Sequence, residues 1–202
     1  MLRNEFHLPQ DPVILTEQGK LNLVGSNLAR EDLADFDLSG ADLTDANVFR
    51  SKLSDANLED ATLAGANLVR ADLSGADLKK TDLTNARLIN AELTDTLLIG
   101  AELVRSNLAE AHLLRTRLDG ADLSNAILIK ADMSEANLAD AEMIGANMTE
   151  AHLLRAWLKG ADLSNATLSQ PDMTEAHLLR AWLKGADLSN ATLSQPDRCR
   201  NN

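Results

Sequence analysis

The chain of 202 residues carries 31 acidic and 19 basic side chains, which give it a formal net charge of −12, and only 2% of its residues are aromatic. An acidic surface argues against nonspecific binding to nucleic acid or to anionic membranes, because both attract Lys and Arg. Hydrophobic residues make up 45% of the chain, so a sizeable core is expected, and its side chains must be aliphatic.

The sequence contains no segment typical of export or membrane insertion. The first residues lack the apolar stretch of a secretory signal, and no apolar run approaches the roughly 20 residues that span a membrane. The lone cysteine, Cys199, cannot form a disulfide within the chain. A cytoplasmic protein is therefore expected.

Residues 1–20 precede a regular repeat and are predicted to form an N-terminal cap segment. Pro9 and Pro12 disfavour a long helix here. The segment also contributes apolar side chains, namely Phe6, Leu8, Val13, Ile14 and Leu15. A repeat protein needs such a cover, because its terminal repeats expose apolar core and unpaired strand edges.

From residue 21 to residue 195 the sequence repeats every five residues without an insertion or deletion. Starting at Leu23, every fifth residue is Leu in 30 of 35 units, with four Met and one Val; we call this residue the centre of its unit. The residue two before the centre is Ala, Ser or Thr in 31 of the 35 units. Both positions are predicted to point into a narrow core, whereas the residue just before the centre is mostly Asp, Asn or Glu and is expected to face solvent.

Neither a helix nor a straight strand can use this pattern. Five residues advance a helix by roughly 500°, so the leucines would spiral around all of its faces. In a strand, an odd period would send successive leucines to opposite sides. A chain that bends once in each unit solves the problem, and the position two after the centre holds nine glycines and 11 Asp or Asn residues, which favour turns.

Units such as ADLSG (71–75), ANLED (56–60) and ADLKK (76–80) resemble the pentapeptide-repeat family, whose pattern is A(D/N)Lxx. The resemblance covers residues 21–195 and implies an all-β fold, a right-handed quadrilateral β-helix. This solenoid would have four units, or 20 residues, in each coil, and about nine coils. The polar residues 196–202 remain as a C-terminal tail.

With a 20-residue coil, residues 20 apart stack in columns. One column, just after the centres, is apolar and holds Ala29, Phe49, Val69, Ile89, Ala109 and Ile129, with Arg30, Arg50 and Arg70 beside it at the corner. Contiguous exposed apolar side chains are typical of a contact surface for a partner or a second subunit. The alternative is ordinary β-propensity on a flat sheet face, and the sequence leaves both open.

A second column is acidic, with Thr62 as the one interruption: it holds Asp42, Asp82, Glu102, Asp122, Glu142 and Asp162. Some members of the resembled family mimic DNA and bind type II topoisomerases such as gyrase, so the resemblance implies this as an alternative function. Against it, Asp before the centre is simply the family pattern. The sequence also shows neither the Phe centres nor the C-terminal dimerisation helix of the topoisomerase-binding members.

Two further sets of side chains could contact a partner or each other. Trp157 and Trp182 each precede a centre and are predicted to be exposed, with Trp157 stacked on His177 of the next coil; an exposed Trp can anchor a partner or shield the ladder beneath it. Another pair of columns alternates in charge: Arg115, Glu135, Arg155 and Glu175, next to His112, Asp132, His152 and Asp172. Cross-strand ion pairs account for them better than a metal site, because the two histidines lie two coils apart.

The sequence shows no catalytic constellation, and no loop is long enough to wall a pocket. It therefore predicts a non-enzymatic structural or interaction scaffold without a cofactor. Its expected partner is another protein or a second copy of the chain, with no direct nucleic-acid or membrane contact.

Residues 148–172 recur letter for letter as residues 173–197. The duplicated segment is 25 residues long, which equals one coil plus one face. Equivalent residues of the two copies are therefore predicted on neighbouring faces, so the duplication indicates how the solenoid grew rather than a repeated binding site.

Overall fold

The computed structural model describes residues 14–15 and 19–192. It contains two named strands, β1 (Ile14–Leu15) and β2 (Leu21–Asn22), which pair antiparallel with Ile14 opposite Asn22 and Leu15 opposite Leu21. Every other pairing is an isolated parallel bridge between a residue and the residue 20 positions later, from Asn22 with Asp42 to Asp172 with Thr192. The predicted 20-residue coil is thus confirmed, although each face contributes a single-residue bridge rather than a long strand.

Four units complete each coil, and we number the faces by their first unit. Face one begins with residues 21–25, face two with 26–30, face three with 31–35 and face four with 36–40, and each face recurs every 20 residues. Three N–H groups of each inner unit bond to neighbouring coils: those of the centre and the corner donate to the next coil, and that of the residue before the centre donates to the previous coil. For example, the Leu28 N–H donates to the carbonyl of Asn47 at 2.8 Å, and the Arg30 N–H donates to that of Phe49 at 2.9 Å.

A tight turn closes each unit, and a backbone hydrogen bond spans it at every corner from Gly25 to Asn190 except Gln170, because Pro171 has no N–H to donate. In face two the Ala71 N–H donates to the carbonyl of Leu68 at 3.0 Å, and Arg70 between them has a φ of 59°. A positive φ at the third residue of a hydrogen-bonded turn defines type II geometry. The same left-handed conformation occurs at every fifth residue from Gly25 to Asn190, which confirms the predicted corners, including those that carry Arg, Lys or Glu.

The residue before the centre has a more specific role than facing solvent. In each unit, one backbone N–H, that of the residue after the centre, takes no part in the backbone hydrogen bonds. An Asp or Asn before the centre accepts it: Asp82 Oδ1 accepts from the Thr84 N–H at 2.8 Å, and Asp122 Oδ1 from the Ser124 N–H at 2.8 Å. Short side chains that reach their own backbone two residues on stabilise turns, so this bond explains Asp and Asn in the repeat.

The core is a continuous stack of centres and small residues. From Leu43 to Leu168 every centre is buried. Ala, Ser or Thr lies two residues before each of these centres, and these small side chains leave room for the centres in the narrow interior of the coil. Buried hydroxyls at the small positions bond to core carbonyls: Thr81 Oγ1 donates to the Leu58 carbonyl at 2.8 Å and Thr116 Oγ1 to that of Leu93 at 2.7 Å. These bonds pair the hydroxyls with an acceptor; Ser26 Oγ, at the small position of the first unit of face two, is buried without a partner among the described residues.

The predicted boundaries at residues 20 and 195 lie at or beyond the edges of the described chain. The β1–β2 pairing joins the backbone of Ile14–Leu15 to that of Leu21–Asn22 in the first coil, while residues 1–13 and 16–18, and the tail 196–202, lie outside the described residues. Completion of a ninth coil depends on residues 193–195, which also lie outside them. In the part of the chain that is described, no helix is long and apolar enough to cross a membrane.

Candidate interaction surfaces

Face two presents three parallel rows of side chains. Before the centres, the Asn47 amide nitrogen donates to Asn27 Oδ1 at 2.9 Å, and that of Asn67 to Asn47 Oδ1 at 3.1 Å. After the centres stands the predicted apolar row, and Phe49, Val69, Ile89 and Ile129 are all partly buried. This row is less exposed than the sequence suggested, because each side chain lies between its neighbours 20 residues before and after.

The corner of face two carries the third row. Arg30, Arg50 and Arg70 follow one another at intervals of one coil, about 4.8 Å along the axis, and all three are exposed. The guanidinium of Arg50 lies 5.1 Å from the centre of the Phe49 ring, a distance that allows a cation–π contact. Among the described residues none of the three forms an ion pair.

The first four units of face two contain no acidic side chain. These units, SNLAR (26–30), ANVFR (46–50), ANLVR (66–70) and ARLIN (86–90), hold four arginines, and the first acid on this face is Glu110. The whole chain has a net charge of −12, so this half of face two is a cationic and apolar surface on an acidic protein.

Face one carries the acidic column that the sequence predicted. Bridges connect Asp42, Thr62, Asp82, Glu102, Asp122, Glu142 and Asp162 in one uninterrupted series. The aspartates also accept a backbone N–H of their own unit, whereas the side chains of Glu102 and Glu142 are exposed and free of that task.

Both tryptophans are exposed, as predicted. Trp157 on face four is 54% exposed and Trp182 on face one is 66% exposed, and Leu179, also on face four, is 54% exposed. The Trp157 ring stacks on the His177 ring at a centroid distance of 4.4 Å. Trp182 instead pairs with Asp162, which places the two copies of the duplicated segment on neighbouring faces, as predicted.

On face three the charged columns form ion pairs between coils, as predicted for Arg155, whereas Arg115 pairs with a residue outside the predicted alternating set. Arg115 makes a two-pronged contact with Asp95, at 2.7 Å for both nitrogens, rather than with Glu135. Arg155 bonds to Glu175 at 2.6 Å and lies 3.9 Å from Glu135. The Arg115 guanidinium lowers the pKa of Asp95, and exposed pairs of this kind contribute little to stability.

Within residues 14–15 and 19–192, no three His, Cys, Asp or Glu side chains are grouped so that they could hold a metal ion. His112 lies 3.9 Å from Glu92 and pairs along the column with Asp132.

Comparison with known proteins matches the repeat itself. The family model described as pentapeptide repeats matches eight copies, over residues 51–88, 86–125, 116–153, 126–165 and 161–195. No curated protein matches the chain.

Among solved structures, the chain is similar to HetL, a pentapeptide repeat protein involved in heterocyst differentiation regulation from the cyanobacterium Nostoc sp. strain PCC 7120. The two are 35% identical over 84% of this chain and 86% of HetL, with a TM-score of 0.42. Rfr23 from the cyanobacterium Cyanothece 51142 is 39% identical over 46% of this chain and 63% of its own, with a TM-score of 0.45. QnrB1, a plasmid-mediated fluoroquinolone resistance protein, is 21% identical over 86% and 90% of the two chains, with a TM-score of 0.38.

Proposed function

Since the chain belongs to the pentapeptide-repeat family, we propose that it is a non-catalytic scaffold whose regular surface rows bind a protein. Its 20-residue register is unbroken through the described coils, so each face presents its side chains at fixed intervals. Such a surface suits contact with another protein better than it suits catalysis, which requires a concave and partly dry site.

The observation that carries the proposal is the apolar row of face two. The same position on face three is occupied by Ser54, Ser74 and Thr94, whereas face two has Phe49, Val69 and Ile89 in the corresponding coils. If β-propensity alone selected these residues, the equivalent faces would share them. On the other faces the large apolar residues at this position are isolated, as at Val104, Leu114 and Ile99, whereas face two is apolar in six consecutive coils. A contiguous apolar row favours a contact surface.

The proposal is tested by recovering the tagged chain from its native cells and identifying the proteins that accompany it. Ile89→Asp should release a partner that contacts face two, because a carboxylate placed in the apolar row would lose its hydration when the partner covers it. Ile99→Asp is the matched control, since Ile99 holds the equivalent position in the next-but-one unit, on face four. A hydrolase or transferase activity that a single Asp or His substitution abolishes would overturn the scaffold.

A second candidate function is supported by the acidic column of face one. Its evenly spaced carboxylates could present charge as a phosphate backbone does, and a type II topoisomerase such as gyrase would then be the partner. The support is the column itself, since the likeness to QnrB1 is too distant to carry the argument. An unchanged rate in a gyrase supercoiling assay, with and without the purified protein, would remove this candidate.

If the protein does alter supercoiling, the column can be tested directly. The double variant Glu102→Lys and Glu142→Lys reverses two charges without removing a turn-capping carboxylate, and the effect should be lost. Glu92→Lys, on face three, is the control for a charge reversal elsewhere on the surface and should retain the effect.

The family also supports right-handed winding and about nine coils as part of this proposal. An experimental electron-density map at side-chain resolution would show both directly, and a left-handed path would contradict the assignment.

A further inference from the structure

We propose that two copies of the chain bind each other antiparallel through face two. The inference rests on the scaffold function and names a partner for its principal surface. It depends on three features of that face: the apolar row, the uneven charge of the corner column, and the symmetry that relates them.

The corner column of face two changes sign along the rod. Arg30, Arg50 and Arg70 occupy its first part, and Glu110 and Glu150 occupy its second part. Asn90 separates the two parts. Lys130 interrupts the acidic part, but its Nζ lies 3.6 Å from Glu150 Oε2. The column is therefore cationic at one end and mostly anionic at the other.

The three arginines repel one another. They stand about 4.8 Å apart from coil to coil, and like charges directly opposite in neighbouring strands are destabilising. Because no acid within the described chain pairs with them, a carboxylate from outside would relieve this repulsion.

Antiparallel packing supplies those carboxylates from a second copy. A two-fold axis that lies in the interface, perpendicular to both rods, places each row against the same row running in the opposite direction. With the axis at the coil of Ile89, Arg70 lies opposite Glu110 of the second copy and Arg30 lies opposite Glu150. Parallel packing would instead place the corner column against the asparagine row, where no charges are paired.

The same axis also matches the apolar row with itself. Ile89 lies opposite its own copy, Val69 opposite Ala109, and Phe49 opposite Ile129, so every contact along this row is between apolar side chains. Two contacts oppose association, since Arg50 faces Lys130 and Arg87 faces itself across the axis. We therefore expect Arg87→Ala to strengthen association.

The interface should be weak enough to dissociate on dilution. The apposed columns from residue 30 to residue 150 span seven coils, about 30 Å, and one face is about 10 Å wide. Such an area falls below the roughly 1,200 Å² of stable complexes and belongs with transient contacts. The shared 20-residue register compensates in part, because all of the coils can align at once.

Charge reversal provides the first test, with the full chain measured by light scattering after size exclusion across a concentration series. The native chain should form a dimer as concentration rises, and Arg70→Glu or Glu110→Arg should shift the monomer–dimer midpoint at least tenfold higher. The double variant Arg70→Glu with Glu110→Arg should restore the native midpoint. A chain that is monomeric at every concentration, or a double variant that is no better than the single ones, would overturn the proposal.

Cross-linking provides the second test, in a Cys199→Ser background. Ile89→Cys lies on the predicted axis and should give a covalent dimer with a short bismaleimide, whereas Ile99→Cys on face four should give none. Equal dimer yields from the two variants would refute the geometry. If the purified chain stays monomeric while its tagged form still recovers a protein that depends on Ile89, the self-association fails and the scaffold function stands.

Discussion

Individual residues in this protein tolerate a backbone conformation that is usually left to glycine. At 25 non-glycine corners φ lies between 54° and 68°, although an L-residue with a side chain pays roughly 1–2 kcal/mol for the left-handed region. The turn hydrogen bond and the two bridges that flank each corner compensate for this cost. Corner strain is thus distributed along the whole rod.

The corner strain can be measured with a pair of substitutions. Gly120→Ala should lower the free energy of unfolding by about 1 kcal/mol, because no heavy atom lies within 4 Å of the new Cβ and only the φ of 62° opposes it. Gln170→Gly, at a φ of 57°, should raise it by about 0.5–1 kcal/mol after the extra chain entropy of glycine is subtracted. Urea denaturation measures both, and an opposite sign for either variant would contradict this account.

The carboxylates that accept the turn N–H groups make the free energy of unfolding depend on pH. The Thr174 hydroxyl and the Thr174 N–H donate to Asp172 Oδ1 at 2.7 and 3.1 Å, and these bonds lower the pKa of Asp172. A carboxyl whose pKa is lower in the folded state contributes stability above its unfolded pKa, about 3.9, and loses it as the pH falls through the folded value.

For Asp172 this dependence is testable by carboxyl NMR titration. Thr174→Val should raise the pKa of Asp172, because the hydroxyl is the largest cause of its depression. Asp172→Asn keeps an oxygen that accepts the N–H, so its stability should fall less than that of the native chain between pH 6 and pH 2. A Thr174→Val chain with an unchanged Asp172 pKa would refute the assigned cause.

At the scale of the unit and its coil, the periodic features were predictable from sequence and the specific pairings were not. Period five and the glycine-rich corners fix which residues turn inward, and the 20-residue register then places Trp157 on His177. Arg115 pairs with Asp95 rather than with Glu135. This preference depends on the length of the acidic side chain at the corner, and the five-residue period does not predict it. The strand β1, which pairs antiparallel with β2, lies outside the repeat, so its pairing has no periodic signal.

The role of Asp and Asn before the centre was also missed at this scale. Their frequency suggested only that the position faces solvent. Asp and Asn are favoured there because they accept the N–H of the residue after the centre, which no backbone carbonyl of the described chain accepts. An accounting of backbone donors, rather than of hydropathy, would have found it.

Within a coil, the core centres should respond to the loss of volume more than to a change of shape. Leu108 is fully buried, so Leu108→Ala should lower the free energy of unfolding by about 2–5 kcal/mol through the cavity it leaves. Leu108→Met should cost less than about 1.5 kcal/mol, since Met already occupies centres at 133, 143 and 148. Leu108→Asp should disrupt the coil, because no counter-charge or water is available there; urea denaturation and far-UV circular dichroism distinguish the three.

The whole molecule behaves as a one-dimensional array in which each coil contacts only its neighbours. In such arrays stability is approximately a sum of coil and interface contributions. A point substitution should therefore act locally, while a change in the number of coils should act on the total.

Duplication of residues 101–120 tests this additivity. It adds one coil without disturbing any column, so the free energy of unfolding should rise, and the denaturant m-value should rise by about a tenth, in proportion to the surface buried. Duplication of residues 101–105 alone is the contrasting variant, because it keeps the core but displaces Arg115 from Asp95. Urea denaturation and small-angle scattering check both, and an unchanged m-value in the longer chain would count against additive coils.

The left-handed corner that closes each unit has a consequence for how such a chain can evolve. All four faces direct the same two positions of the unit into the core, the centre and the small residue two before it. A given unit can therefore fold on any of the four faces. A genetic insertion of any multiple of five residues therefore leaves the core pattern unchanged. An insertion that is not also a multiple of 20 residues moves all later units to different faces. The 25-residue duplication of 148–172 as 173–197 is one such event. It placed a copy of the same side chains, Trp and Arg included, on a neighbouring face of the molecule without a single substitution.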